Sequence, residues 1–213
     1  MDLGLYILYL ILLTVCFILS LIKIKGNQLK IFPYLLFCSL VTEITVSVTN
    51  YVYKNHGIMY LIYQIYIPIE FLFLIFFLKQ SITDNKISSF INWTILFFFI
   101  ADFILIYFQG IFIFPGHILN LEGIIISILA CNMLLNLPID INTPIHKVSL
   151  LWISLGLLTY YSSSFIFNGL YNYLFINAIK SLSFLQSVLM MLPNYLLYLF
   201  ISIGILCSNP TQK

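Results

Sequence analysis

GIMYLIYQIYIPIEFLFLIFFL, residues 57–78, decides how the rest of the chain is read. It is longer than the roughly 20 mostly apolar residues that cross a bilayer as a helix, yet it carries Tyr60, Tyr63, Gln64, Tyr66, Pro68 and Glu70. A span that met only lipid would not keep a carboxyl group, because a charged side chain near the bilayer centre costs about 2.5–3.5 kcal/mol on insertion scales. Glu70 is therefore protonated, paired with a neighbour, or turned toward a wet cavity. Each of these points it at other helices.

The remaining sequence has the same character. Of 213 residues, 62% are hydrophobic and 8% are charged, against about 25% charged in soluble domains, and the mean hydropathy is +1.08. A soluble globular domain is excluded. The pattern predicts an all-α polytopic membrane protein, a single transmembrane helical domain over residues 1–213. Seven spans are expected, near residues 3–22, 31–53, 57–78, 90–108, 117–137, 148–170 and 178–207, with residues 171–177 as the last loop. The first apolar run exceeds the 7–15 residues of a signal-peptide core and has no Lys before it, so it reads as a retained span. Lys23, Lys25, Lys30, Lys79, Lys86, Lys147 and Lys213 fall on one side, and Lys54 and Lys180 on the other. By the positive-inside rule the N-terminus is expected outside and the C-terminus in the cytoplasm, in a bacterial inner membrane.

Composition also removes whole classes of function. All nine basic residues are Lys, so the planar bidentate grip of Arg on phosphate or carboxylate is missing, and a net charge of +2 gives no footprint for direct nucleic-acid binding. Cys16, Cys38, Cys131 and Cys207 stand alone in apolar runs and imply neither a disulfide framework nor a metal site. Seven spans with the N-terminus outside match the layout of microbial rhodopsin, but no Lys occupies the middle of the last span, where a retinal Schiff base would form. No cofactor is expected. HExxH, GxSxG and Walker motifs do not occur, so the reading leans away from an enzyme.

What remains is the polar content of the spans. In the second span, Ser39, Glu43, Ser47 and Asn50 recur at helical spacing and make one stripe. Tyr63, Tyr66 and Glu70 share a face of the third, with Gln64 about a third of a turn away. The last span aligns Lys180, Ser183, Ser187, Asn194 and Tyr198. Three stripes require a common interior. At 1.5 Å per residue, Glu43 and Glu70 differ in height by roughly 6 Å, close enough to communicate directly or through one water. Asp102, His117, Glu122, Gln64 and Lys180 fall in the outer half, so a cavity open or nearly open to the outside is expected, with Glu43, Glu70 and Asn194 at its floor. Glu122, however, lies opposite the stripe His117, Asn120, Ser127, Cys131, and only one of those faces can line that cavity. Candidates for a ligand or proton site are thus Glu43, Glu70, Asn194, Glu122, Asp102, Tyr63, Tyr66, Gln64 and Lys180.

Plainer roles compete for some of these residues. Ser162, Ser163 and Ser164 can bond their own backbone; Trp93, Tyr107, Trp152, Tyr171 and Tyr173 suit an interfacial aromatic belt; Lys180 and His117 can snorkel. Asn194 can fill a carbonyl freed by Pro193. Pro68 beside Glu70 and Pro193 beside Asn194 occupy the third helices of two triplets in a 3+1+3 scheme, a faint trace of the internal repeats on which transporters are built.

Several segments resemble a family of uncharacterised seven-helix inner-membrane proteins of Bacteroidetes: LVTEI around Glu43, YQIYIPIEF with Tyr63, Pro68, Glu70 and Phe71, LEGIII with Glu122, WISLGLLTYYSSSFIF with Trp152, Tyr160 and Ser162, and PNYLLYLFISIGILC with Asn194. That family has no established activity, and the resemblance implies a sensor-like role with the three Glu positions acting as a set. The small multi-span accessory proteins beside Bacteroidetes RNA-targeting CRISPR effectors are similar in size and composition only. The expected function is receptor-like or accessory, acting on a small or lipidic ligand or on a membrane or cytoplasmic protein partner, with the bilayer as solvent and a homo-oligomer compatible with the sequence. Alternatives are a small proton-coupled transporter, an intramembrane hydrolase using paired carboxylates, or an accessory protein of a CRISPR or antiviral system.

Overall fold

A computed structural model describes residues 3–24, 29–81, 85–137, 144–177 and 183–208, with side chains described except at 85–86, 168–177, 183–187, 189 and 190. Among the described residues there are seven α-helices: α1 (Leu3–Lys23), α2 (Phe32–Val48), α3 (His56–Ser81), α4 (Asn85–Gln109), α5 (Gly116–Leu135), α6 (Ser149–Asn177) and α7 (Ser183–Leu206). Six are long and apolar enough to cross a membrane; in the seventh, the stretch Met191–Leu206 is apolar but shorter.

Local chemistry sets most of the boundaries. Pro33 sits in the first turn of α2, where its missing N–H is no loss. Gly110 ends α4 with φ at +88°, a conformation that costs glycine little. Two expectations are corrected. The second span does run to residue 53 as expected, but not as one α-helix: α2 stops at Val48 and Thr49–Tyr53 forms a π-helical turn, closed by Lys54 in the left-handed region. The wider turn shifts the register, so Asn50 does not simply continue the stripe of Ser39, Glu43 and Ser47. Residues 171–177 are not a loop but the end of α6. No Pro interrupts them, and near a membrane a continued helix is the cheapest way to satisfy backbone N–H and C=O groups.

The surface is the reverse of a soluble protein's. Ile7, Ile11, Ile18 and Ile22 make an exposed apolar seam along α1, and Phe103, Tyr107 and Phe108 on α4 are each more than 70% exposed. Such a surface suits lipid better than water.

Helix neighbours form a closed ring in the order α1, α2, α3, α5, α6, α7 and back to α1, while among the described residues α4 touches only α3 and α5, from outside. The outward position of α4 is held by Phe71 and Phe98, stacked at 3.8 Å, and by a hydrogen bond of 3.0 Å from Gln64 Nε2 to Asp102 Oδ1. Glycines set the closest approaches within the ring. A Cβ on Gly204 would lie 2.7 Å from Ile153 Cγ1 and 3.1 Å from the Ser149 carbonyl, and one on Gly123 would lie 3.3 Å from the Tyr161 carbonyl. Small residues at these points let α6 meet α7 and α5 at backbone distance, the main source of cohesion between helices in lipid.

Candidate functional site: a tyrosine-walled cavity in the ring

The ring encloses a cavity of about 390 Å³. Every ring helix contributes to its wall and, among the described residues, α4 contributes nothing. It lies in the half of the bundle that holds the start of α1 and the α4–α5 link, since Tyr6, Tyr9, Phe114 and Leu119 line it. Lys23, Lys79 and Lys147 are at the opposite helix ends. The pseudo-helical stripes explain the convergence: Tyr63, Tyr66 and Glu70 come from one face of α3, Ser39 and Glu43 from one face of α2, and Asn194 and Tyr198 from one face of α7.

Glu43 is the most heavily solvated by protein hydroxyls. Tyr6 Oη donates to its Oε2 at 2.9 Å and lies 2.5 Å from Ser47 Oγ, which itself donates to the Glu43 carbonyl at 2.7 Å. The hydroxyls of Tyr9 and Tyr63 face the same carboxyl. One turn deeper, Tyr66 Oη and Ser39 Oγ are 2.6 Å apart, and Ser39 also donates to the Leu35 carbonyl at 2.9 Å. The Ser39 and Tyr66 pair fastens α2 to α3 within the cavity wall.

Glu70 is joined to a second carboxyl. The hydroxyl of Tyr161 lies 3.3 Å from Glu70 Oε1 and 3.4 Å from Glu122 Oε1. Glu122 is completely buried, and its Oε2 meets no hydrogen-bond partner among the described residues. A tyrosine has one proton to donate, so Tyr161 serves one carboxyl at a time and the other contact is filled only by a proton on that carboxyl. The arrangement connects the cavity wall to a buried acidic group behind it.

The conflict on α5 is settled by direction. Glu122 faces Tyr161 and the interior, while His117 and Cys131 at the two ends of the opposite stripe are exposed and Asn120 and Ser127 between them keep buried side-chain oxygens against other neighbours. Gln64 and Asp102 lie outside the cavity, paired with each other in the α3–α4 seam. Their separation from Glu43 and Glu70 follows from the position of α4 outside the ring. Lys180 lies outside the described residues, as do the side chains of Ser183 and Ser187. Among the described residues no three His, Cys, Asp or Glu side chains converge to hold a metal ion.

Sequence reasoning missed Tyr6, Tyr9 and Tyr161. Tyr6 and Tyr9 head the series Tyr6, Tyr9, Leu13, Cys16, Ser20, the buried face of α1, whose three- and four-residue spacing was available as a signal. Tyr161 follows Tyr160 directly, and adjacent residues diverge by 100°, so nothing in the pair says which meets a carboxyl. Both do line the cavity, with rings at 82° to one another.

Comparison with protein-family models, with curated protein sequences and with solved structures finds no match to this chain.

Proposed function

We propose that this multi-pass membrane protein is a receptor-like or accessory protein that binds a small or lipidic ligand in the cavity of the ring. The observation that carries the reading is the partly open cavity itself: about 390 Å³, within the range of roughly 300–1,000 Å³ typical of small-molecule sites, with a mainly aromatic wall into which Glu43, Glu70 and Asn194 converge. The seven-span topology, with the N-terminus and the cavity on the outer side of a bacterial inner membrane and the Lys-rich ends and C-terminus in the cytoplasm, belongs to the same proposal. Occupancy would bear on all six ring helices at once, and a helix shift would reach a cytoplasmic partner at the Lys-rich ends.

Native mass spectrometry of the protein extracted from its own membrane tests this. The wild type should release a bound small molecule or lipid that is absent from Glu43→Gln/Glu70→Gln, while Leu72→Ala, on the same helix, should keep it. Identical spectra for the wild type and the double variant would overturn the reading.

One observation favours a second reading, a small proton-coupled transporter. The ring order places α1–α3 and α5–α7 as consecutive triplets, with α4 outside and the α3–α5 and α7–α1 junctions in equivalent places, as two parallel repeats about an axis along the membrane normal would. Proteoliposomes carrying an internal pH dye separate the two: substrate-driven acidification that disappears in Glu70→Gln selects transport, and its absence with retained binding selects the receptor.

A further inference from the structure

Resting on the ligand-binding reading, we infer that the cavity takes an organic cation, a protonated or quaternary amine carrying an apolar body. The geometry has three parts. Seven tyrosine rings, contributed by α1, α2's neighbour α3, α6 and α7, line the wall. Tyr6, Tyr9 and Tyr198 form a chain with ring centroids 5.9 and 5.7 Å apart, and Tyr160 and Tyr161 meet edge to face at 4.8 Å. Aromatic rings grouped around a void are the usual housing of ammonium groups, because the negative face of each ring attracts a cation that has shed its water.

The second part is charge. Glu43 and Glu70 line the same void, and among the described residues no Lys or His does. Tyrosine hydroxyls orient on these carboxyls but cannot neutralise them. A carboxylate in a low-dielectric wall needs a compensating positive charge or a proton, and a cationic ligand supplies the first. An anionic ligand would meet two carboxyls on this wall. The third part is the apolar contribution of Phe114, Leu119, Phe167 and Met191 at the same cavity, which suits a hydrocarbon or aromatic body larger than the ammonium group itself.

The test is calorimetric titration of the full chain in phosphatidylglycerol nanodiscs with benzyltrimethylammonium, phenylacetate and benzyl alcohol. Saturable one-to-one binding of benzyltrimethylammonium is expected, with phenylacetate inert and benzyl alcohol at least roughly tenfold weaker. Glu43→Gln/Glu70→Gln should weaken the cation by about tenfold or more without changing the benzyl alcohol value, and Tyr198→Leu should weaken it while Tyr198→Phe, which keeps the ring face, should not. A second set of discs containing phosphatidylcholine separates the sources: competition assigns the site to a choline headgroup, and an unchanged affinity assigns it to a free amine. Equal affinity for the cation and benzyl alcohol, or cation binding indifferent to both carboxyls, overturns the inference. The ligand-binding reading falls only on its own experiment, since a neutral or anionic adduct lost from Glu43→Gln/Glu70→Gln in native mass spectrometry would sustain that reading and refute this one.

Discussion

Tyr161 links two carboxyl groups through a single hydroxyl. Its hydroxyl is the donor recorded for Glu122 and reaches Glu70 as well, so Tyr161→Phe leaves two buried or half-buried carboxyls short of a partner. Interhelical hydrogen bonds in membranes average about 0.6 kcal/mol, but stranding a buried polar group costs about 1–3 kcal/mol. The second term applies here because Glu122 is wholly enclosed. Tyr161→Phe is therefore expected to lose about 1–3 kcal/mol in a reversible unfolding titration in mixed micelles, and Glu122→Gln/Tyr161→Phe to lose less than the sum of the single variants. Additive losses would show that Tyr161 and Glu122 act separately. Of these residues the sequence made Glu70 and Glu122 legible, because an acidic group in an apolar run is conspicuous. Tyr161 stayed hidden because a tyrosine suits a lipid interface and a cavity wall equally well.

At the scale of elements, glycine contacts decide how tightly α6 and α7 close the ring. The void is absent at Gly204: a Cβ there would meet Ile153 Cγ1 at 2.7 Å and the Ser149 carbonyl at 3.1 Å. Ile153 is wholly buried and β-branched, which holds its χ1 in a helix, and a backbone carbonyl cannot move without its helix. Gly204→Ala is expected to cost about 1–3 kcal/mol, the usual range for overpacking, and Gly204→Leu to cost more, read as a fall in thermal unfolding temperature in nanodiscs. Gly110→Ala tests a different cause, since nothing lies within 4 Å of its Cβ position and only the positive φ opposes the change. Its loss should be confined to the α4–α5 link and leave the cavity intact. Element existence was readable throughout from apolar runs about as long as the bilayer is thick. The π turn after α2 was not, because a single added residue per turn leaves no mark on composition or hydropathy.

For the whole molecule, the decisive feature is that α4 stands outside the ring. Asp102 is bound to Gln64 there, away from the cavity. Asp102→Asn should accordingly weaken the α3–α4 seam while leaving ligand binding within about twofold of wild type, whereas Glu43→Gln/Glu70→Gln should abolish most of it. Equal loss from Asp102→Asn would mean that α4 controls the site. Topology is open to direct measurement: single cysteines in a cysteine-free background at Lys147 and at the C-terminus should be protected from a membrane-impermeant maleimide added outside intact cells, and one at His56 should be labelled. The reverse pattern would invert the cavity toward the cytoplasm. The sequence alone determined that the chain is helical and apolar enough for a membrane, and it marked Glu43, Glu70 and Asn194 through the cost of polar groups in lipid and through helical periodicity. Periodicity says which residues share a face but not which helix that face will meet. Only the tertiary structure decided that α4 is excluded, that Asp102 and Gln64 pair outside, that Glu122 reaches Glu70 through Tyr161, and that tyrosines from α1, α3, α6 and α7 wall one void, because those facts depend on contacts between spans that hydropathy treats as alike.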